Sequence, residues 1–349
     1  MTGRKIHLLT VLLCLCQGSL LWAQPLIREV VDTAALQRSA AQLPRLQSLL
    51  ISQHGELLFE EYYGGRQAQQ PANLKSASKS VISALVGLAI SEGFIRGVDQ
   101  PIADFFPDYQ AVLATGQKRQ ITVGNLLTMQ SGLESTSNRN YGRWVMSENW
   151  VASALGQEQV AAPGTAMIYS TGSTHLLSAI ITRSAGMSTR EFAQKYLADP
   201  LGFRMAYWSQ DPQGIYFGGN DMEITPRQML RFGQLYLDKG VFGDTQVLPE
   251  QWVRDSFTPH AESPRGQGRY YGYGWWLREM DGILVPTAWG YGGQLIFVLE
   301  ELATVVVVTS DSIPGENRRG HLASLYRLME EQIVIPLRAA ESRALRSSD

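Results

Sequence analysis

The strand signals of this chain lie at its two ends, and helical patterns lie between them. Near the C-terminus, four segments rich in β-branched and aromatic residues are separated by short turns: YYGYGWWLRE, GILVPTAW, GQLIFVLE and ATVVVVTS. Near the N-terminus, Leu46 to Tyr63 holds two apolar runs around His54-Gly55, a hairpin signal that places His54 at a surface turn. Short turns join antiparallel strands. We therefore expect an α+β fold whose N- and C-terminal strands complete one antiparallel sheet.

Helical periodicity fills the middle of the chain. Ser76 to Phe94 is predicted to be a helix, because its apolar residues recur at helical spacing. Residues from roughly 95 to 250 mix helical patterns with loops, and HLASLYRLMEEQIVIPL predicts a closing helix. We expect helices to flank the sheet, with a mostly helical subdomain inserted over roughly 95–250. The cleft between the sheet and this subdomain is the default ligand site.

The first 23 residues have the architecture of a secretory signal peptide. Arg4 and Lys5 precede a mostly apolar block, and Ala23 precedes the expected cut. The block is too short and too interrupted for a stable membrane span, although an uncleaved N-terminal anchor is the alternative. We therefore expect a periplasmic or secreted protein. The expected division is a signal peptide over 1–23, one folded domain over 24–340 and a flexible polar tail over 341–349.

Composition narrows the chemistry that the mature chain can use. Both cysteines, Cys14 and Cys16, lie in the leader, which leaves no disulfide, thiolate nucleophile or cysteine metal site. No spacing typical of zinc ligands occurs in the sequence. A formal net charge of -2 with scattered charges argues against nucleic acid as the main partner.

The segment KSASKS, residues 75–80, holds two of only six lysines in the chain. Ser76 and Lys79 are three residues apart at the start of the predicted helix, so their side chains share a face. A desolvated lysine, unlike an arginine, can lose its proton and then accept the proton of a serine hydroxyl. The backbone N–H of a serine at a helix N-terminus can also stabilise an oxyanion. The alternative is a serine helix cap beside a solvated lysine; Lys75 is expected to be a flanking charge.

A tyrosine and a histidine stand out in PGTAMIYSTGSTHLLSAII. Tyr169 lies between a Pro-Gly loop and an apolar helix that is predicted to begin near Ser173. At such a junction a tyrosine can point into a cleft, where a cationic lysine favours its phenolate form. The alternative is a packing tyrosine with a hydrogen-bonded hydroxyl. His175 precedes Leu176 and Leu177 in an apolar helical pattern, so we expect it to be structural.

Glycines 290, 292 and 293 interrupt the strand pattern of TAWGYGGQLIFV. Glycines inside a strand mark places where another group approaches the backbone closely, although a bulge or bend is the alternative. An acyl group along this edge could have its oxygen held by a strand N–H opposite that of Ser76.

Taken in order, these motifs resemble those of the serine hydrolases of the class C β-lactamase type. That family includes penicillin-binding DD-peptidases, esterases and nylon-oligomer hydrolases. A serine-x-x-lysine, a tyrosine motif and a late glycine-bearing strand follow one another as in the family. The resemblance covers residues 45–335, with further landmarks in GNLLTMQSGL, PGTAMIYS, ITPRQMLRFGQLYL and YGYGWW.

The resemblance implies a role for each matching position. Ser76 would be the acylated nucleophile, with Lys79 assisting its deprotonation. Tyr169 would act as general base and then as acid to the leaving group. The backbone N–H groups of Ser76 and Tyr291 would form the oxyanion hole, and water would hydrolyse the acyl-enzyme. The resemblance implies no metal and no organic cofactor.

The departures from the family motifs bear on the substrate. The tyrosine-x-asparagine motif is Tyr169-Ser170-Thr171 here, so the amide that helps position a substrate amide or lactam is absent. The lysine-threonine-glycine motif is Ala288-Trp289-Gly290, which replaces a carboxylate-attracting lysine with an apolar environment. Thr171, Trp289 and Gly290 are the expected substrate-binding residues. Trp275 and Trp276 are weaker candidates for lining the same pocket, and core packing is favoured for both. Arg265, Arg269 and Arg278 lie near this third motif in the sequence.

We therefore expect a serine hydrolase that cleaves a small ester or amide through a Ser76 acyl-enzyme. A carboxylesterase is favoured over a β-lactamase or DD-peptidase because of the two altered motifs. The alternative is a binding or sensor protein on the same fold, which is either non-catalytic or acylated once without turnover.

Overall fold

A computed structural model describes residues 30–264, 266–315 and 317–346 of the chain. The predicted signal peptide and both cysteines lie outside these residues. No helix in the described ranges is long and apolar enough to cross a bilayer.

The described part of the chain contains twelve strands and twelve α-helices. The strands are β1 Leu46–Gln53, β2 Glu56–Tyr62, β3 Ala72–Asn73, β4 Glu223–Ile224, β5 Val241–Phe242, β6 Thr245–Gln246, β7 Ala261–Glu262, β8 Arg269–Tyr271, β9 Trp276–Met280, β10 Ile283–Gly290, β11 Gln294–Leu299 and β12 Thr304–Ser310. The helices are α1 Thr33–Ala41, α2 Ser78–Ser91, α3 Gln110–Leu113, α4 Val123–Leu127, α5 Tyr141–Val145, α6 Trp150–Leu155, α7 Thr171–Ala185, α8 Thr189–Ala193, α9 Pro226–Leu237, α10 Glu250–Ser256, α11 Arg318–Met329 and α12 Ile335–Arg346.

Eight strands form one sheet in the order β2-β1-β12-β11-β10-β9-β8-β7. Every neighbouring pair in it is antiparallel. The N-terminal hairpin adds to the C-terminal strands through β1 and β12, where Leu50 lies opposite Val307. The turn of that hairpin is at His54, which is exposed and has a φ of 51°. The α+β sheet expected from the two ends of the sequence is therefore confirmed.

Both faces of the sheet are covered, which explains why its central strands are apolar without interruption. Along β12, Val305 and Val307 belong to the core shared with the helical region. Their neighbours Val306 and Val308 belong to a second core, which is closed by α1, α11 and α12. Successive side chains of a strand face opposite sides, so the run of valines serves both cores.

Three details differ from the predicted elements. The helix expected from Ser76 begins as a 3₁₀ turn, Lys75–Ala77, and becomes α-helical only at Ser78. Within the interval 95–250, α9 contacts β1, β11 and β12, so it belongs to the layer on the sheet. The chain is helical up to Arg346, so the described part of the tail expected from residue 341 continues α12. Residues 347–349 lie outside the described part.

Candidate active site

The segment that carries Ser76 has an unusual backbone. Lys75, directly before it, has a φ of 49°, in the left-handed region that non-glycine residues rarely adopt. Its N–H donates to the side-chain oxygen of Asn73 at 2.9 Å, and its carbonyl accepts from the hydroxyl of Ser78 at 2.8 Å. These contacts hold the turn, and Ser76 is half-buried at its centre. Strained conformations that the surroundings hold in place are concentrated at functional sites.

Lys79 lies one turn after Ser76 and is 1% exposed. Its Nζ is 3.3 Å from Ser76 Oγ, 3.3 Å from Thr171 Oγ1 and 2.8 Å from the carbonyl oxygen of Gly219. None of the carboxylates in the described residues is within the 4.0 Å that defines an ion pair with it. Burial lowers the pKa of Lys79 to about 7. Near neutral pH, a large fraction of this amine is therefore unprotonated and able to accept a proton from Ser76.

Tyr169 lies between the Pro-Gly loop and α7, as the sequence predicts. Lys79 Nζ is 5.2 Å from the centroid of its ring. The Tyr169 ring stacks on the Trp276 ring, with centroids 5.6 Å apart. The backbone carbonyl of Tyr169 accepts a hydrogen bond from Ser135 Oγ at 2.6 Å. The neighbouring Ile168 donates its N–H to the carbonyl of Met129 at 2.7 Å. Tyr169 is thus fixed beside the buried lysine.

A cleft of about 460 Å³ collects most of the predicted site residues. Ser76, Tyr169, Thr171, Trp289 and Tyr291 line it, whereas Lys79 lies behind Ser76. The lining is completed by Lys75, Ser137, Asn138, Tyr141, Asn220, Trp276, Ser312 and Pro314. Lys75 also forms an ion pair with Asp221 at 3.4 Å, as expected of a flanking charge.

Gly290 does not line this cleft, and its role differs from the one expected. A Cβ at this position would be 2.2 Å from the carbonyl oxygen of Leu74 and 3.2 Å from the N of Ala77. The group that approaches Gly290 is therefore the backbone around Ser76 itself. This close contact brings the end of β10, and with it Tyr291, next to the nucleophile segment. Gly292 and Gly293 have φ values of 88° and 103° and form the turn into β11.

The two tryptophans expected in the core differ from each other. Trp275 is fully buried and stacks on Phe232, as predicted. Trp276, the first residue of β9, lines the cleft beside Tyr169, which agrees with its weaker predicted role as a pocket residue and not with the favoured core packing. Adjacent residues at the start of a strand point to opposite sides, and the sequence WW does not indicate which side faces the site.

His175 is structural, as its apolar helical setting predicts. Its Nε2 lies 2.9 Å from Asp211 Oδ2, and both side chains are fully buried. The rings of Trp144, Trp150 and Phe217 surround it. His175 does not line the catalytic cleft.

The sequence interpretation missed the loop that contacts Lys79. A Cβ on Gly218 would be 2.1 Å from the carbonyl of Thr174, and one on Gly219 would be 2.9 Å from Lys79 Nζ. Only glycines fit at these two positions. The paired glycines of the segment FGGN, residues 217–220, were therefore the sequence feature that could have indicated a close backbone contact here. No cluster of three or more potential metal ligands occurs in the ranges that the structure describes.

A serine in contact with a buried lysine that has no carboxylate partner among the described residues, in a cleft that a tyrosine also lines, is the arrangement of a serine hydrolase. Comparison with known proteins agrees with this class. The model of the family named beta-lactamase matches residues 47–328. The chain belongs to the beta-lactamase family, and it is a serine hydrolase of that family.

Two characterised relatives are similar along much of the chain. Esterase EstB of Burkholderia gladioli is 24% identical over 256 residues, which cover 67% of this chain and 64% of the esterase. The 6-aminohexanoate-dimer hydrolase of Paenarthrobacter ureafaciens is 23% identical over 349 aligned residues, which cover 86% of this chain and 87% of that enzyme.

Solved structures with the same fold include two further hydrolases. A putative 6-aminohexanoate-dimer hydrolase from Bacillus anthracis has a TM-score of 0.69 at 20% identity and covers 87% of this chain and 84% of its own. EstCE1, described as a hydrolase with promiscuous acyltransferase activity, has a TM-score of 0.71 at 18% identity. The match covers 85% of this chain and 98% of EstCE1. At these identities the likeness shows the β-lactamase-like fold.

Proposed function

We propose that this chain is an exported carboxylesterase that works through an acyl-enzyme on Ser76. The observation that carries the proposal is the 3.3 Å contact between Ser76 Oγ and the buried Nζ of Lys79. A lysine whose pKa is lowered to about 7 can serve a serine as a base at neutral pH. An exposed lysine with a carboxylate partner would remain protonated.

Acylation begins when Ser76 Oγ attacks the carbonyl carbon of the ester. The serine proton passes to the Lys79–Tyr169 pair, and the backbone N–H groups of Ser76 and Tyr291 stabilise the oxyanion. Tyr169 then donates a proton to the leaving oxygen as the C–O bond breaks. In the deacylation step, water loses a proton to the Lys79–Tyr169 pair and attacks the acyl carbon. Ser76 Oγ then leaves and regains its proton from that pair.

Two features of the cleft favour esters over amides and β-lactams. Thr171 replaces the family asparagine, and its hydroxyl contacts both Lys79 and Ser137 instead of offering an amide to the substrate. Trp289 replaces a threonine beside the lost lysine of the third motif, and it lines the cleft with Trp276. Both rings favour apolar groups next to the reacting bond. Among the relatives, esterase EstB agrees with a preference for esters, whereas the 6-aminohexanoate-dimer hydrolase agrees only with the wider class of acyl hydrolases.

The first test is the hydrolysis of p-nitrophenyl butyrate by the mature protein, with Ser76→Ala as the matched control. Steady turnover that is lost in the variant, together with a transient butyryl adduct on Ser76 by mass spectrometry, supports the proposal. Equal rates in both proteins exclude Ser76 chemistry. A single stoichiometric burst followed by a lasting adduct identifies an acylated sensor instead.

Export is tested separately. The proposal rests on the basic-apolar-small pattern of residues 1–23. Expression of the full chain in a Gram-negative host should yield a protein in the periplasmic extract whose N-terminus is Gln24. Full-length chain in the cytoplasm contradicts export.

A further inference from the structure

A second pocket, of about 150 Å³, adjoins the catalytic cleft. Trp276 and Trp289 line both cavities, so these two rings separate them. The second pocket lies between the sheet at β8–β10 and the helix α11, which contributes Leu322 and Tyr326. A substrate that extends past the tryptophans would reach it.

Two arginines stand at this pocket. Arg269 on β8 and Arg278 on β9 are directly opposite each other in the antiparallel register, so their side chains project from the same face. Arg278 lies over the ring of Tyr326, with 4.2 Å between its Cζ and the ring centroid. Within the described part of the chain, no carboxylate is within 4.0 Å of either guanidinium. Like charges at opposite positions destabilise a sheet, and a bound anion would relieve that repulsion.

The position of Tyr169 decides which part of the substrate reaches this pocket. Tyr169 protonates the leaving group in the proposed mechanism, so the leaving group lies on its side of the cleft. Trp276 stacks on Tyr169, and the arginine pocket begins behind Trp276. Where Trp276 forms the wall, the pocket therefore faces the leaving group.

We propose that Arg269 and Arg278 bind a carboxylate at the far end of the leaving group. This inference rests on the proposed esterase function and narrows its substrates to esters of hydroxy acids with an apolar spacer. The spacer would lie against Trp276 and Trp289, and the carboxylate would receive charge-assisted hydrogen bonds from the guanidinium groups.

The surroundings favour one small anion over a polyanion. Beyond the pocket, Arg269 and Arg278 also border a wider depression that continues along α11. It contains Arg319 and Arg327, but also Glu330 and Glu331. These carboxylates would repel a chain of repeated negative charges, whereas a volume of about 150 Å³ suits a single carboxylate with a few carbons.

The test compares butyrate esters of ω-hydroxy acids of increasing length with the matching ω-hydroxy primary amides, which lack the charge. We expect kcat/KM to be about tenfold higher for the acid at the best length. The advantage should shrink as ionic strength rises, because the arginine pair is partly exposed. Monoesters of dicarboxylic acids, which carry the charge on the acyl side, should show no such gain.

Arg269→Gln and Arg278→Gln should each lower the ratio of acid to amide, and the double variant should abolish it. Arg119→Gln, an exposed arginine that lines neither cavity, is the matched control and should keep the ratio. Thermal melting checks that the variants fold.

An acid-to-amide ratio near one in the wild type, or a ratio that survives in the double variant, overturns the arginine site. A gain confined to the acyl-side carboxylates overturns it equally. If neither ester is cleaved in a Ser76-dependent way, the proposed esterase function itself fails.

Discussion

The Nζ of Lys79 donates to the carbonyl oxygen of Gly219 at 2.8 Å, across 140 positions of the sequence. The partner is a dipole and not a carboxylate, so it orients the amine without the full charge that would keep it protonated. The absence of a side chain at Gly219 leaves the space that Nζ occupies. This contact links the helix of Ser76 to the helical region across the cleft.

Lys79 and Lys75 provide a matched pair of substitutions. Lys79→Ala should lower kcat by about a thousandfold, because it removes the proton acceptor for Ser76. Lys75→Ala should change kcat/KM by less than about fivefold, because it removes only a partly exposed ion pair with Asp221. The measurement is p-nitrophenyl butyrate hydrolysis beside thermal melting of both variants. Equal losses in the two variants would show that Lys79 has no special role.

Burial of Lys79 makes stability depend on pH in a defined direction. Its pKa is about 7 in the folded chain and has the ordinary value of 10.5 when unfolded. Between these values the unfolded chain binds the additional proton, so the free energy of unfolding rises with pH. Relative to Lys79→Met, the wild type should gain about 2–3 kcal/mol between pH 7.5 and 9.5.

Burying the amine of Lys79 costs free energy of folding near pH 7, and methionine avoids that cost. Lys79→Met should therefore melt at a higher temperature than the wild type at pH 7, while losing activity. Urea denaturation of both proteins across this pH range is the measurement. Parallel stability curves for the wild type and Lys79→Met would show that the amine titrates alike in the folded and unfolded chain, which contradicts its desolvation.

Tyr169→Phe separates the chemistry of the hydroxyl from the packing of the ring. The ring contacts with Trp276 and Tyr271 are retained in the variant, so the melting temperature should change little. The loss of the proton donor should lower kcat by about 10²–10⁴-fold. Esters with poor leaving groups should suffer more than p-nitrophenyl esters, whose leaving oxygen needs little protonation. A uniform loss for all leaving groups would argue against the acid role.

Much of this architecture follows from local sequence patterns. The valines of β12 and the turn at His54 predict their strands because periodicity and turn chemistry act over a few residues. Ser76 and Lys79 meet because three-residue spacing on a helical turn places them together. Tyr169 is found because a Pro-Gly loop precedes a clearly apolar helix.

The remaining parts depend on contacts between distant segments. Nothing near Lys79 in the sequence indicates Gly219 as its partner. Trp275 and Trp276 are indistinguishable until the start of β9 fixes which one faces the cleft. The arginine pair becomes visible only through the register of β8 and β9. The loop between these strands sets that register, and its geometry cannot be deduced from the sequence. Register and long-range packing are the information that composition and periodicity lack.

Gly290 tests whether close backbone packing positions the nucleophile. In Gly290→Ala the new methyl group would be 2.2 Å from the carbonyl oxygen of Leu74, so β10 and the Ser76 turn must move apart. We expect a loss of about 1–3 kcal/mol in the free energy of unfolding. Because Tyr291 and Ser76 supply the two proposed oxyanion donors, kcat should fall more than KM rises.

Gly142→Ala is the control, since a Cβ there meets nothing within 4 Å and the residue lies in α5. That variant should be neutral or slightly more stable. Wild-type activity in Gly290→Ala would mean that the separation of these segments does not govern catalysis.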